Sequence, residues 1–446
     1  MSKVVIAGGG LAGLACAKRL LDAGFEVELV EATARFGGRA TSWIDPADGF
    51  EVESGIHSFF GIYSRLSALL REVGVSRDRM LQWQDEVAYL QPGPRYHVFG
   101  INAVRAPHRV LAGVLGNNTY VGPRDKLGVG RAIAHGLRRR RAYVYETVRG
   151  LAHETGVSRI AYELVLRPLA RSLFFLEPEE LVAYAPLTLA RHILASPASI
   201  RAGTFKGGMG EVMIAPLVRW LEDHGATLRT GAAVRVLRYV EGNPGRVIGF
   251  EVKGGEVVRG DAYVSALPVE VVQTLLPPSW GELDYFANLQ QIETVPAISV
   301  QLWFDTCLVD RETFIFPAGS PMAVLQDQSF EAFTTRGSRI SCQVVDRATD
   351  GYTDEQYIAL VRRELQRYFP LSALAVLRKA VVVRHRAFAM RIGAEMRRPP
   401  PASPIPGFFL AGDYTRQDWF TTMEGAVRSG EMAAAGVLTA LGPPPA

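Results

Sequence analysis

A glycine-rich turn close to the first residue constrains this chain more than any other feature. Residues 4–7 are a short apolar run typical of a buried parallel strand, and three glycines follow with the G-x-G-x-x-G spacing. The first glycine permits a sharp turn, the second lets the main chain approach a diphosphate, and the third lets the following helix pack closely on the strand. The free N–H groups at that helix N-terminus favour phosphate. The residues predicted to contact a dinucleotide here are Gly8, Gly10, Leu11, Ala12 and Gly13.

An acidic residue follows the next predicted strand at the spacing that a dinucleotide requires. Residues 25–30 form that strand, and Glu31 lies about 20 residues past the glycines, where a carboxylate accepts hydrogen bonds from a ribose 2′-hydroxyl. Ala32 follows, so that no neighbouring base is offered to a 2′-phosphate. We therefore predict Glu31 and Ala32 as cofactor contacts, and NADP is disfavoured.

A second pair of glycines, followed by an arginine, narrows the choice of cofactor. Gly37 and Gly38 let the main chain run against a ligand, and Arg39 brings a fixed cation to a diphosphate. A nicotinamide dehydrogenase does not need this second clamp, whereas a permanently held FAD does. The pattern predicts FAD, with Gly38 and Arg39 among its contacts.

The C-terminal region contains another strand, a Gly-Asp turn and a helix. Residues 407–411 form the predicted strand, and Thr421 and Glu424 have the T-x-x-E spacing of a capping box at the start of a helix that continues to about residue 441. A helix N-terminus directed at the flavin N1–C2=O edge stabilises the charge that the ring gains on reduction. The predicted cofactor contacts in this region are Gly412, Asp413, Met423, Glu424 and Ala426.

His57 lies in an aromatic, glycine-rich segment, residues 55–61. A histidine there lies either beside a flat cofactor or in the core with its ring hydrogen bonded, and the sequence leaves both roles open. We predict Gly55, Ile56 and His57 as cofactor contacts, and His57 as a candidate catalytic proton acceptor. Val234, in a predicted strand at residues 233–237, is a further predicted contact.

The order of elements predicts an α/β fold with an α+β insertion, in which a Rossmann-like FAD-binding domain is interrupted by a substrate domain. Helical periodicity begins at Tyr96 and continues to about residue 201, and further helices are predicted over residues 211–224 and 354–368. Strands suited to one antiparallel sheet, the floor of a substrate chamber, are predicted at residues 297–304, 313–316, 323–325, 339–345 and 381–388.

The domain boundaries follow from this pattern. The FAD-binding domain is predicted to be discontinuous, with a helical insertion for substrate and membrane contact and a separate substrate-domain sheet. The predicted segments are 1–90, 206–285 and 386–446 for the FAD-binding domain, 91–205 for the helical insertion and 286–385 for the sheet.

Composition excludes some functions. With 446 residues, a formal charge of +4 and a sequence pI near 8.9, the chain is mildly basic, and no nucleic-acid motif accompanies the charge. Cys16, Cys307 and Cys342 are widely spaced and form no zinc pattern, which indicates a reducing compartment and no metal site. No run reaches the ~18 apolar residues that span a bilayer, and the N-terminus does not resemble a signal peptide. We expect a cytoplasmic protein that is either soluble or peripheral on a membrane face.

Four arginines at residues 138–141 stand beside apolar residues. This pattern is typical either of a solvated helix face or of contact with anionic lipid headgroups, and the sequence leaves both open.

Taken together, these motifs resemble the FAD-dependent desaturases of the amine-oxidase superfamily, in particular phytoene and ζ-carotene desaturases. The resemblance covers nearly the whole chain, and its more specific parts are residues 55–63, 410–415 and 423–430. It implies a hydrophobic isoprenoid substrate, peripheral membrane contact, and electrons that leave to a quinone or another acceptor.

The resemblance also assigns roles inside the predicted insertion. Residues 105–107, 115–118 and 126–127 look like the segment by which those desaturases rest on membrane lipid and open a hydrophobic tunnel. The stretches 176–181 and 189–192 look like the region that carries an arginine near their quinone and inhibitor site, which implies a catalytic role for Arg191. Residues 206–210 are more similar to the broader group that includes hydroxysqualene dehydroxylases, and this difference leaves the substrate open.

Desaturation of a polyene removes a hydride from one carbon to flavin N5 and a proton from its neighbour. Such a reaction needs a dry, apolar channel more than a strong acid–base pair. Three alternatives stay open: dehydroxylation of hydroxysqualene, amine oxidation, and a flavoprotein that only binds and carries an apolar lipid. Product mass separates the first of these from desaturation, because one reaction removes an oxygen and the other removes two hydrogens.

Overall fold

The structure is a computed structural model, and it describes residues 2–93, 95–101, 108, 111–112, 115–196, 201–242, 245–329 and 337–443. Residues 105–107, to which the resemblance assigned membrane contact, lie outside these ranges. The strands of the described chain are β1 Lys3–Ala7, β2 Glu26–Val30, β3 Ser42–Ile44, β4 Glu51–Glu53, β5 Phe59–Phe60, β6 Leu81–Gln84, β7 Glu86–Gln91, β8 Arg95–Gly100, β9 Ala202–Phe205, β10 Thr227–Arg229, β11 Val234–Val240, β12 Arg246–Val252, β13 Val257–Val258, β14 Ala262–Ser265, β15 Thr294–Phe304, β16 Ile315–Pro317, β17 Met322–Asp327, β18 Ser338–Val344, β19 Leu377–Phe388 and β20 Phe408–Leu410.

The helices are named below by their bounds. The α-helices of the described chain are Leu11–Asp22, Ser64–Glu72, Arg77–Met80, Pro123–Arg138, Val148–Glu154, Arg159–Ala161, Arg167–Phe174, Tyr184–Ala195, Ala215–Asp223, Val269–Leu275, Asp284–Gln290, Asp354–Tyr368, Ala394–Arg397 and Met423–Leu441. Wider π-helical turns precede two of them, at Tyr162–Leu166 and Gly210–Ile214. No helix in the described ranges has the length and apolar character needed to cross a bilayer.

A five-stranded parallel sheet of order β10-β2-β1-β14-β20 holds the cofactor motifs. Its strands come from three separate parts of the sequence, residues 3–30, 227–265 and 408–410. The first and last helices cross closely on this sheet, because Gly430 has no side chain where a Cβ would lie 2.1 Å from the Ala12 carbonyl oxygen. The crossing joins the two ends of the chain beside the cofactor turn, and the predicted α/β class is confirmed.

The second large sheet has seven strands in the order β19-β15-β18-β17-β16-β7-β8. Its neighbouring strands are antiparallel except for β16 and β7, which are parallel.

The prediction of helical structure from Tyr96 onward was wrong at its start, since residues 95–100 are strand β8. This segment pairs with β7 in a hairpin, and that pairing satisfies its backbone polar groups and overrides the local helical pattern. All the predicted domain boundaries stay a prediction.

Candidate active site

The first glycine turn has the geometry that a bound diphosphate requires. Gly8 has φ +105°, and a Cβ there would lie 2.6 Å from the Ala266 carbonyl oxygen. A Cβ on Gly13 would lie 2.0 Å from the Gly8 oxygen, so that only glycine lets the helix sit this close to β1. A Cβ on Gly10 would lie 4.0 Å from its nearest atom, on Gly38. Gly8 and Gly13 are therefore required by the packing, whereas Gly10 borders open space in which a ligand fits.

Glu31 is buried at the end of β2 and orders this turn. Its Oε2 accepts a hydrogen bond from the Gly9 N–H at 2.8 Å, and its Oε1 accepts from the Thr33 N–H at 2.8 Å. The Ala232 N–H donates to the Glu31 main-chain oxygen at 2.8 Å, which brings the start of β11, with the predicted contact Val234, to the same place. The contact of this carboxylate with a ribose stays a prediction, and Ala32 beside it is exposed.

Arg39 pairs with Asp413 across the cleft, although the sequence predicted each of them separately. Arg39 Nη2 lies 2.8 Å from Asp413 Oδ1, and the charge of Asp413 raises the pKa of Arg39 above its ordinary value. Arg39 Nη1 also donates to the Arg386 carbonyl oxygen at 3.3 Å. Gly38 is exposed beside Arg39, whereas Gly412 is buried and has φ +148°. The second clamp therefore joins the N-terminal and C-terminal motifs through an ion pair.

The start of the C-terminal helix differs from the prediction. Thr422, not Thr421, is the cap: its Oγ accepts from the Gly425 N–H at 3.1 Å. Glu424 is fully buried, and its carboxylate accepts from the N–H groups of Arg65, at 3.0 Å, and Leu66, at 2.9 Å. The predicted capping box is wrong, because the Glu424 carboxylate instead caps the helix Ser64–Glu72.

The Glu424 side chain therefore stabilises a neighbouring helix, and its contact with the cofactor stays a prediction. Arg428 holds the same carboxylate, with Nε 2.8 Å from Oε1. Met423 is buried and Ala426 is half-buried on the first turn of the helix.

His57 is half-buried, and its Nδ1 lies 3.1 Å from the Gly55 carbonyl oxygen. Burial lowers its pKa below the ordinary value. A second histidine, His385 on β19, lies near it and was missed by the sequence analysis. Burial, followed by the charges of Arg39 and His57, lowers the pKa of His385 to about 4. The only signal in the sequence was a polar residue inside a predicted strand, which by itself indicates no function.

FAD is a cofactor that these residues can hold. Three buried polar atoms around the cleft, Ser299 Oγ, His385 Nε2 and Tyr414 Oη, have no hydrogen-bond partner within the described ranges. Buried polar groups are normally satisfied, so that these atoms indicate a missing polar ligand. The open edge at Gly10 and the carboxylate of Glu31 match the diphosphate and ribose ends of such a ligand. The fit of FAD therefore rests on features at both ends of the cleft.

An apolar chamber of ≈ 420 Å³ adjoins this cleft. One face of the seven-stranded sheet forms its floor and the helices between residues 123 and 195 form its cover. The predicted contact Ile56 lines the chamber, as do Ser58 and Phe60, so that the segment around His57 borders both spaces. Other lining residues include Val87, Tyr89, Val129, Ile133, Leu151, Leu169, Leu173, Leu189, Ile193, Phe314, Phe316 and Val324.

Arg191 is on the outer side of the chamber wall. Its neighbours Ala190 and Ile193 line the chamber, but Arg191 is 44% exposed and its Nη2 lies 2.6 Å from Asp418 Oδ2. The adjacent His192 stacks on Trp419, with ring centroids 4.5 Å apart. The catalytic role of Arg191 stays a prediction, and in the structure the charge of Arg191 is paired at the surface.

Solved structures show the same fold. An oxidoreductase from Methanosarcina mazei has a TM-score of 0.73 at 17% sequence identity, covering 98% of this chain and 100% of that chain. Wild-type putrescine oxidase has a TM-score of 0.74 at 18% identity, covering 98% and 99%. These likenesses establish the fold alone. With the dinucleotide turn and its buried acid, the fold defines the class of dinucleotide-binding proteins.

The sequence comparisons identify the family. The chain belongs to the family of flavin containing amine oxidoreductases, which matches residues 11–438. A 15-cis-phytoene desaturase of Synechococcus elongatus is 31% identical over 98% of this chain and 96% of its own length. The chloroplastic/chromoplastic 15-cis-phytoene desaturase of Arabidopsis thaliana is 31% identical, covering 98% and 80%, and a probable zeta-carotene desaturase of S. elongatus is 29% identical, covering 98% and 99%. The predicted resemblance to carotenoid desaturases, the oxidoreductase class and the FAD cofactor are confirmed.

Proposed function

We propose that this protein introduces double bonds into a hydrophobic polyene, a carotenoid precursor such as phytoene or ζ-carotene. The observation that carries the proposal is the apolar chamber that adjoins the cofactor cleft through Ile56. The names of the relatives, phytoene and zeta-carotene desaturases, support the same substrate class. When bound, FAD supplies the two-electron acceptor, whose N5 takes a hydride from carbon.

The residues of the chain then have a limited set of tasks. The aliphatic and aromatic walls hold an apolar chain in one orientation and exclude water from the carbon that reacts. Polar side chains in the lining are Ser58, Ser172, Arg201 and Gln343. The Nε2 of Gln343 donates to the main-chain oxygen of Arg171 at 3.1 Å. His57, at the border of the two spaces, is our candidate for the group that accepts the substrate proton.

The test is mass spectrometry of the lipid products. Purified, FAD-loaded protein is mixed in liposomes with phytoene, ζ-carotene or hydroxysqualene, with and without a quinone. Loss of two hydrogens with a red-shifted polyene spectrum, dependent on the quinone, is expected. Loss of oxygen from hydroxysqualene would instead favour dehydroxylation. Peroxide formed from amines would favour amine oxidation, and a flavin that no substrate bleaches would favour lipid carriage.

Filling the chamber is expected to stop turnover without releasing FAD. Leu169→Trp places an indole in the chamber wall, and a misplaced substrate costs on the order of a hundredfold in rate. The substitution leaves the cofactor cleft unchanged, so that the flavin absorbance of the purified variant should equal that of the parent. Leu371→Trp, at a side chain that is 75% exposed, is the matched control. Equal turnover of the two variants would show that substrate does not enter this chamber.

We also propose peripheral membrane contact around the chamber wall formed by helices Pro123–Arg138 and Tyr184–Ala195. Ile133 lines the chamber and is 37% exposed, and Leu127 and Leu194 on these helices are 65% and 57% exposed. Apolar side chains at such a site allow a lipid-soluble substrate to pass from a bilayer into the protein. Cytoplasmic, peripheral localisation stays part of this proposal.

The arginine run at residues 138–141 offers exposed cations to anionic lipid, except at Arg140. Arg138, Arg139 and Arg141 are exposed, whereas Arg140 donates to Thr188 Oγ1 at 2.7 Å. Arg139 Nη1 also lies 3.5 Å from Glu154, which reduces its free charge. The surface cations are therefore chiefly Arg138 and Arg141.

Changing these surface residues is expected to weaken membrane binding. Leu127→Gln with Leu194→Gln should reduce flotation with neutral and anionic liposomes alike. Arg138→Gln with Arg141→Gln should reduce it with anionic liposomes only, by roughly tenfold or more at about 1 kcal/mol per cation. The control is Leu371→Gln with Leu374→Gln, at side chains 75% and 82% exposed elsewhere on the surface. Flotation that falls equally in the control would contradict a specific contact surface.

Electrons are proposed to leave to a quinone or another acceptor, and Arg191 is the residue proposed to serve that acceptor. Its ion pair with Asp418 must open, or rotate aside, before the guanidinium can bind another group. The quinone dependence of product formation in the liposome assay tests this part of the proposal.

A further inference from the structure

The floor of the chamber continues beyond its apolar part toward the cofactor cleft. Val324 on β17 pairs with Gln343 on β18, which pairs with Ser299 on β15. Residues paired across strands project to the same face of a sheet, so that Ser299 shares the face of Val324 and Gln343, which line the chamber. Ala297, two residues before Ser299 on β15, pairs with His385 on β19. One sheet face therefore runs from apolar residues to Ser299 and His385.

This polar end of the sheet face meets the two N-terminal cofactor motifs. A Cβ placed on Gly55 would lie 3.6 Å from His57 Cε1 and 3.9 Å from Ser299 Cβ, so that the three residues share one small space. On β19, the carbonyl oxygen of Arg386, next to His385, accepts a hydrogen bond from Arg39 at 3.3 Å. Ser299 and His385 thus lie between the segments that the sequence assigned to the flavin.

Two atoms in this space lack partners. Ser299 Oγ and His385 Nε2 are both buried, and neither has a hydrogen-bond partner in the part of the chain that the structure describes. Buried polar atoms rarely remain unsatisfied, because desolvation is then uncompensated. A flavin ring presents carbonyl oxygens, ring nitrogens and one N–H along its edge, which match a hydroxyl and an imidazole.

We propose that Ser299 and His385 bind the flavin ring system directly, and that the His385 imidazole takes up a proton when the flavin is reduced. The proposal rests on the FAD assignment and goes beyond the proposed substrate chemistry. When a hydride from substrate or reductant arrives, the flavin gains two electrons and one hydrogen nucleus, so that the site gains one negative charge. One proton from solvent bound to His385 Nε2 balances that charge, and no other bond forms or breaks.

The charges around His385 explain why its imidazole is protonated only when the flavin is reduced. Arg39 and His57 face it, and the nearby carboxylate of Asp413 is already paired with Arg39 at 2.8 Å. Burial, followed by the charge of Arg39, holds the pKa of His385 at about 4, so that the imidazole is neutral near pH 7. An added negative charge within a few ångströms favours the protonated form and raises that pKa. Because a proton is taken up on reduction, the flavin midpoint potential falls as pH rises. Above about pH 4, this fall is steeper than it would be without His385.

The experiment uses the FAD-loaded full chain and needs no substrate. Variants Ser299→Ala, His385→Asn and His385→Leu are compared with the parent, and His153→Asn, at an exposed histidine, is the control. FAD dissociation constants are measured by flavin fluorescence, and midpoint potentials by reductive titration against a reference dye from pH 5 to pH 8. Circular dichroism of each apoprotein checks folding.

Loss of one flavin hydrogen bond should weaken FAD binding about two- to tenfold in Ser299→Ala and His385→Leu. His385→Asn keeps a polar contact but cannot titrate, so that its midpoint potential should depend less on pH than the parent's, with FAD affinity nearly retained. Unchanged FAD affinity in Ser299→Ala, or an unchanged pH slope in both His385 variants, would overturn the proposal. If the His385 variants fail to fold, Ser299→Ala alone still decides the contact. These readouts are independent of the substrate, so that a failed polyene assay and a failed flavin contact are distinguishable.

Discussion

Replacing Gly13 by alanine is expected to destabilise the fold, whereas replacing Gly10 by alanine should leave a stably folded protein that binds FAD more weakly. A Cβ at residue 13 would lie 2.0 Å from the Gly8 carbonyl oxygen, and the backbone of the turn must move to accept it. Overpacking typically costs about 1–3 kcal/mol and occasionally more. At residue 10 the nearest atom is 4.0 Å away, and φ −76° is an ordinary angle for alanine. The new methyl group would instead occupy the space into which a diphosphate fits, and we expect at least roughly tenfold weaker FAD binding.

The two outcomes are measured separately. Thermal unfolding of the apoproteins reports the packing effect, and flavin retained through gel filtration reports binding. Gly130→Ala is the matched control, because that glycine lies inside helix Pro123–Arg138 with no atom near its missing Cβ. Alanine there should be neutral or stabilising by up to about 1 kcal/mol. A Gly10→Ala protein that binds FAD as tightly as the parent would refute the assignment of the cofactor cleft.

Glu53→Gln is expected to remove a loss of stability that the parent shows as pH rises. Glu53 is 2% exposed at the end of β4, where its Oε1 accepts from the Met209 N–H at 3.2 Å and its Oε2 has no partner among the described residues. Its main chain is held by Gln301, whose Nε2 donates to the Glu53 oxygen at 2.6 Å. Burial raises the pKa of Glu53 from 4.5 to about 8, and the charge of Arg339 opposes part of that rise.

The direction of this pH dependence follows from the linkage between proton binding and folding. The folded pKa lies above the ordinary value, so that the folded state holds a proton that the unfolded chain releases. Stability from this group is complete below about pH 4.5 and is lost as pH rises through about 8. The effect on the free energy of unfolding is on the order of 3 kcal/mol, and Gln keeps the shape of the protonated acid.

Urea unfolding at pH 5.5 and pH 8.5 measures this difference. The free energy of unfolding should fall between these pH values in the parent and fall much less in Glu53→Gln, which should be the more stable protein at pH 8.5. Glu282→Gln, at an exposed carboxylate, controls for a change of net charge. Parallel curves for the parent and Glu53→Gln would mean that Glu53 is ionised in the folded protein throughout.

The sequence by itself determined the features that depend on local structure. A glycine turn between a strand and a helix follows from the dihedral freedom of three residues, and Glu31 follows at a spacing set by one helix and one strand. Helix Asp354–Tyr368 was predicted with both of its ends, since its cap at Thr353 and its apolar periodicity lie in one short segment. The C-terminal helix was also predicted, although its cap was assigned one residue too early.

Tertiary structure alone decided which distant residues meet. Strand β8 depends on a hairpin partner, and the carboxylate of Glu424 caps a helix more than 350 residues away in sequence. The ion pair between Arg39 and Asp413 joins two motifs that the sequence could assign only one at a time. His385 and Ser299 reach the cofactor cleft through the register of β15 and β19, and a shift of one residue would turn both side chains to the other face. Register and long-range pairing are set by the packing of the whole chain, which no local pattern contains.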